Sequence, residues 1–255
     1  MTTPYDDVRG FVDIDGVSLH YDLSGEPDKP ALALVNMASH NLTCWELILD
    51  QLLTFAQVLR FDLRGTGRSG WGDEDSFTFT RYADDLVGIM DHCGLEDAAV
   101  AGVAYGARTA ARFADRHVDR LSTLGLFDVS LRPPVDQKDQ GRLGEEALDL
   151  LKAAGEPVVE RQKYWRFYEN RDAAALAHTA HQHEEDLSER MGHLKVPVLV
   201  ACGRQDMNLD EAERIAQHIP RAELRVMEMT GHVTLFYLHT LVADLFSELI
   251  QKSKK

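Results

Sequence analysis

Three short stretches hold side chains of catalytic type. In Gly102-Val103-Ala104-Tyr105-Gly106 a glycine stands two residues on either side of Ala104. This is the G-x-S-x-G spacing of a nucleophile elbow, with alanine at the serine position. Such spacing puts the central residue in a strained turn, and the small flanking residues let a strand and a helix close around it. Further on, Gly203-Arg204-Gln205-Asp206 offers a carboxylate and Gly231-His232 an imidazole. A histidine that takes and returns a proton needs a carboxylate to fix its tautomer and stabilise the imidazolium. Asp206 and His232 supply that pair, and Asp128 is an alternative acid. Alanine has no oxygen with which to attack a carbonyl. The sequence therefore holds an acid and a base without their nucleophile.

The elements that must position these residues follow from apolar periodicity. Residues 98–103 are a continuous apolar run, suited to a buried strand, and a helix-forming run starts at residue 107. Residues 11–21 alternate around Asp15-Gly16 and predict a hairpin. Further buried strands are expected at 31–35, 57–61, 121–127, 197–202 and 223–229. Helices are expected from Thr43, as cap, to about residue 53, and then at 80–93, 210–218 and 234–252. Alternating strands and helices imply a mostly parallel sheet covered on both faces, with sites at the carboxyl ends of the strands. Residues 131–194 break the alternation: after Pro133-Pro134 come three helical stretches, near 144–154, 158–168 and 172–190. They read as a helical lid inserted into a core made of residues 1–130 and 195–255.

Composition narrows the function classes. The chain of 255 residues, 44% hydrophobic and 27% charged, is long enough for one large domain with a full core. A net charge of −15 argues against a nucleic-acid partner, because phosphates call for a basic face. Cys44, Cys93 and Cys202 have no metal-like spacing and cannot all pair, which fits free thiols in a reducing compartment. Residues 1–9 are polar and acidic rather than basic then apolar, and no run is long enough to span a membrane. A cytoplasmic protein is expected. His178, His181 and His183 lack a Cys or Glu set that would close a metal site. The glycine-rich turn at 62–70 lacks the lysine of a phosphate loop and is not followed at once by a helix.

Taken together, the pieces resemble the α/β-hydrolase superfamily over nearly the whole chain. The resemblance is carried by Asn36 and Trp45, by Asp62-Leu63-Arg64-Gly65-Thr66-Gly67-Arg68-Ser69, by the elbow, by Gly203-Arg204-Gln205-Asp206 and by Gly231-His232. The order elbow, acid, histidine is that family's order. Asn36 with tryptophan nine residues later, and the 59–69 stretch, are similar to the 3-oxoadipate enol-lactonase branch. The resemblance implies an eight-stranded sheet and an oxyanion hole made by the backbone N–H groups of Tyr105 and Ala38, with Met37 where glycine is usual. It implies hydrolysis of a small ester or lactone without metal or organic cofactor, by a monomer or homodimer. Asn36, Met37, Trp165 and Tyr168 are candidate substrate contacts, although Trp165, Phe167 and Tyr168 also suit the core of a lid. Ala104 leaves three readings open: a serine hydrolase disabled at its nucleophile, an enzyme that abstracts a proton with a His-Asp dyad (a cofactor-free dioxygenase, lyase or cyclase), or a non-catalytic ligand-binding module.

Overall fold

The computed structural model describes residues 8–132, 138–160, 162–165, 171–181 and 184–253. Strand β1 (Val8–Ile14) turns at Asp15-Gly16 into β2 (Val17–Ser24). Both turn residues have positive φ, 50° and 78°, as a tight hairpin turn requires. The strands β3 (Ala31–Val35), β4 (Gln57–Phe61), β5 (Ala98–Val103), β6 (Leu121–Phe127), β7 (Val198–Gln205) and β8 (Ala222–Gly231) complete one eight-stranded sheet. Its order is β1-β2-β4-β3-β5-β6-β7-β8, with β1-β2 and β2-β4 antiparallel and the other pairs parallel.

The alternation of side chains along each strand divides the core into two layers. Ala33 and Val35 point to one face of the sheet and Leu32 and Leu34 to the other. The first face is covered by α2 (Phe79–His92), α3 (Tyr105–Arg116) and α6 (Leu209–His218), through residues such as Leu86, Phe113 and Ile215. The second is covered by α1 (Glu46–Leu52) and α7 (His239–Ser253), through Ile48, Val242 and Phe246. Between β6 and β7 lie α4 (Gln140–Ala154), α5 (Arg171–Thr179) and two 3-10 turns, Lys163–Trp165 and Arg190–His193.

Register decides where the loops emerge. Val35 is level with Gly102, Gly102 with Leu126, Phe127 with Ala201, and Gln205 with Gly231. The loops after β3, β5, β6, β7 and β8 therefore leave along one edge of the sheet, where sites in such folds form.

Several expected elements differ in detail. The helix cap is Asn41 and not Thr43: its side chain accepts the Thr43 N–H at 2.9 Å and starts a 3-10 turn, Leu42–Trp45, ahead of α1. The closing helix is interrupted. Thr234–Phe236 is a 3-10 turn, closed by the Tyr237 N–H on the Thr234 carbonyl at 2.9 Å, and the helix proper begins at His239. Of the helix expected at 158–168, the described part contains only the 3-10 turn Lys163–Trp165, and residues 166–170 lie outside the described set. Trp165 is the one described residue of that stretch that is buried, so no apolar face holds a helix there. The last helix of the segment stops at Thr179 and does not run on to residue 190.

Candidate active site

The elbow is built by steric necessity. Ala104 sits at φ 53°, ψ −111°, a conformation that residues with a Cβ rarely adopt. It is held there by its N–H donating to the Phe127 carbonyl at 2.8 Å and its carbonyl accepting from Arg108 N–H at 3.1 Å. A Cβ on Gly102 would lie 2.3 Å from the Gly106 carbonyl carbon, and one on Gly106 would lie 2.1 Å from the Val35 oxygen. Both contacts are with backbone, so β3, β5 and α3 close around position 104 only if these residues are glycine. Helix α3 begins at Tyr105, and the first N–H groups of a helix lie outside its own ladder, at the positive end of its dipole.

Tyr105 and Ala38 line one small open cleft, together with Met37, Leu63, Tyr82 and Ala177. The Tyr105 hydroxyl donates to the Ala177 carbonyl at 2.9 Å and accepts from the Tyr82 hydroxyl at 3.2 Å. Its ring meets Phe79 and His181 at centroid distances of 4.6 and 4.9 Å. Helix α5 is thereby fastened over the residue that follows the elbow. Burial, with lesser contributions from Arg108 and His178, pushes His181 down to about 4. That histidine is a neutral part of an aromatic wall at neutral pH.

At the neighbouring strand ends, His232 Nδ1 donates to Asp206 Oδ2 at 2.9 Å. The other oxygen of Asp206 accepts the Asn208 N–H at 2.8 Å, so both are occupied. Asp128 lies close by, completely buried, but its hydrogen bonds go to Gly203 and Thr234 and not to His232. Among the described residues, four of the six with positive φ other than glycine lie in these loops: Ser39, Ala104, Asp128 and Val233. Each costs roughly 1–3 kcal/mol, and such strain gathers where geometry is imposed by function.

Other sequence candidates fall elsewhere. Asn36 is fully buried and spends its amide inside the protein: Nδ2–H donates to the Phe61 carbonyl at 2.7 Å, and Oδ1 accepts from Trp45 Nε1 at 2.7 Å. It ties β3 to β4 and to the 3-10 turn and presents no group to a ligand, so the candidate substrate contact is a structural residue. Trp165 is likewise turned inward. It stacks on Phe236 at 4.9 Å and 11°, and its Nε1–H donates to Glu46 at 2.7 Å. Phe167, Tyr168 and His183 lie outside the described residues. The 62–69 turn is organised by Asp62, whose carboxylate accepts the N–H groups of Leu42 and Arg68 and faces His20 Nδ1.

Sequence reasoning missed Arg108. It is 1% exposed, and its guanidinium donates to the carbonyls of Ser130, Arg132 and Glu185 at 2.6–3.0 Å. It pins both stems of the inserted segment to α3, one helical turn past the elbow. Burial pushes it down to about 10. The available signal was a charged residue four positions after Ala104, in the first turn of a helix that follows an apolar strand.

The doubly covered sheet, the elbow and the carboxylate–histidine pair at its edge define a class, and sequence comparison gives the same one. Residues 38–245 match the model of the alpha/beta hydrolase family, and the chain belongs to that family. Among curated relatives, "Putative carbamate hydrolase RutD" of Caulobacter sp. strain K31 is 29% identical over 86% of this chain and 90% of its own. The 3-oxoadipate enol-lactonase 2 of Acinetobacter baylyi is 22% identical over 86% of this chain and 87% of its own. Among solved structures, the enol-lactonase of Burkholderia xenovorans LB400 aligns over 95% of this chain and all of its own, with a TM-score of 0.78 and 21% identity. At that identity the likeness is one of fold.

Proposed function

We propose that the site is that of a carboxylic ester or lactone hydrolase in which Ala104 occupies the nucleophile position. The observation that carries this reading is the strained elbow at Ala104, kept in a chain that also forms an Asp206–His232 pair after β7 and β8 of the same sheet. An alanine in an ordinary strand-to-helix turn needs neither the positive φ nor glycine at both 102 and 106. The relatives named for carbamate and enol-lactone hydrolysis support an acyl carbonyl as the group acted on. A carbonyl oxygen would sit against the N–H groups of Tyr105 and Ala38, donors worth a few kcal/mol when aimed at a developing oxyanion. The segment between β6 and β7 would roof the cleft through Ala177 and act as its lid. No helix among the described residues is long and apolar enough to cross a membrane. The acidic charge and the three free cysteines favour a cytoplasmic enzyme of small molecules, and we take it to act as a monomer or homodimer.

The chain with Ala104 binds such a substrate and forms no acyl-enzyme. With Ala104→Ser, the hydroxyl attacks, His232 takes its proton and passes it to the leaving alkoxide, and water releases the acid in a second round. Side-by-side assays on p-nitrophenyl acetate and an enol-lactone test this. The serine form should exceed the parent by about 10³-fold or more and release a burst of p-nitrophenol. A folded serine form no faster than the parent overturns the reading.

One observation favours a second reading: the His–Asp pair is complete although the nucleophile is absent. Used alone, His232 would abstract a proton from an acidic C–H, as in cofactor-free dioxygenases, lyases and cyclases. Oxygen consumption with an acidic hydroxy-ketone by the parent chain, lost in His232→Ala, supports it. Equal consumption by both forms eliminates it.

A further inference from the structure

Asp128 follows β6 at φ 52° with its carboxylate completely buried. One oxygen accepts the Gly203 N–H at 3.2 Å, and the other accepts both the N–H and the hydroxyl of Thr234 at 2.8 Å. Gly203 lies near the end of β7, three residues before Asp206, and Thr234 is two residues past His232. The Asp128 main-chain carbonyl accepts from the Asn208 side chain at 3.1 Å, and the Asn208 N–H in turn holds Asp206. One carboxylate thus joins the two loops that present the dyad. A buried carboxylate is a costly way to accept three hydrogen bonds, since a neutral carbonyl would do the same without ion desolvation. Its charge calls for a use beyond fastening.

We propose that Asp128 is a positioning residue of the dyad, which sets both the orientation and the basicity of His232 by holding the Asp206 and His232 loops to one buried carboxylate. The titratable groups facing it are Asp206, Cys202 and His232. Cys202 adds no charge, because burial raises its thiol well above the usual range. Burial, then Asp206, push Asp128 up to about 7, while His232 and the Thr234 hydrogen bonds pull the other way. Ionisation of Asp128 and protonation of His232 therefore favour each other. The second carboxylate strengthens the base when it is charged, which suits a site whose remaining chemistry is proton transfer.

Asp128, Cys202 and Asp206 bring their ligand atoms within 4.8 Å of one another, as a cation site would. The donor set does not fit one. Both Asp128 oxygens already accept protein N–H or O–H groups, both Asp206 oxygens do the same, and the thiol stays protonated.

The inference rests on His232 being the base of the site, as read above, and its test needs no turnover. His232 ring signals of the isotopically labelled chain are assigned by their loss in His232→Gln and titrated in the parent and in Asp128→Asn. The His232 pKa should fall by about one unit in Asp128→Asn, and its Nδ1–H resonance should exchange faster. In the unmutated chain, the Asp128 carboxyl carbon should show an inflection at the pH where His232 titrates. A folded Asp128→Asn with an unchanged His232 curve overturns the proposal. So does an Asp128 carboxyl that titrates without that inflection, whether or not the variant folds. Failure of Ala104→Ser to hydrolyse esters would sink the hydrolase reading and leave these titrations untouched.

Discussion

At position 104 a methyl group stands in a backbone conformation that only its surroundings maintain. The glycine at 106 is the most demanding of these surroundings. Gly106→Ala would put a Cβ 2.1 Å from the Val35 oxygen, backbone against backbone, so β3 or α3 must move. The expected loss is more than about 4 kcal/mol in urea unfolding, or no soluble protein at all. His181 is a second residue with a definite consequence. Its folded value near 4 lies below the ordinary 6.5, so the unfolded chain binds its proton more readily. The associated stability is complete above pH 6.5 and is lost as pH falls from there towards 4. Replacing it as His181→Phe keeps the ring stacking and should flatten that part of the stability profile, measured by urea midpoints at pH 7, 5.5 and 4.5. An unchanged slope would show that the imidazole is not buried neutral.

Among the elements, the inserted segment is held down at two places that the sequence did not single out as anchors. Arg108 ties both of its stems, and Trp165 inserts between Phe236 and Glu46 while its carbonyl accepts the Asn41 N–H at 2.9 Å. Trp165→Ala should cost about 3 kcal/mol and hasten amide exchange at Asn41. A variant with parental exchange there would show that the segment is held elsewhere. The strands were legible because buried strands are short apolar runs, and the elbow was legible because its two glycines encode a steric demand. Asp206 and His232 were legible as the polar residues that follow two late strands. What was not legible required knowledge of partners. Asn41 and Thr43 are both good caps by type, and only the Asx geometry selects the former. Asn36 reads as a ligand-facing polar residue until Phe61 and Trp45 are seen to consume its amide. The stretch at 158–168 has helix-compatible residues but almost no buried face among its described part.

For the molecule as a whole, acidity and pH response meet at Asp128. The folded chain keeps a proton on it up to about pH 7, whereas the unfolded chain releases it near 3.8. The folded state therefore binds more protons between those values, and stability falls as pH rises. The contribution is fully present below about pH 4 and lost as pH passes through 7. In unfolding experiments the parent's stability relative to Asp128→Asn should decline from pH 5 to pH 8. A difference independent of pH would mean that the carboxyl is ionised throughout. The insertion, the elbow loop and the two dyad loops all meet at one edge of a single sheet, so perturbations at Arg108, Asp128 or Trp165 should register at the cleft before they register in the antiparallel strands β1 and β2.

The most direct test of the central claim is intact-protein mass spectrometry of Ala104→Ser after brief exposure to a p-nitrophenyl phosphonate ester, with peptide mapping. The account predicts one stoichiometric adduct on residue 104, slowed strongly in the double variant with His232→Ala, and none in the parent chain. A folded serine form that takes no adduct at residue 104 would contradict it.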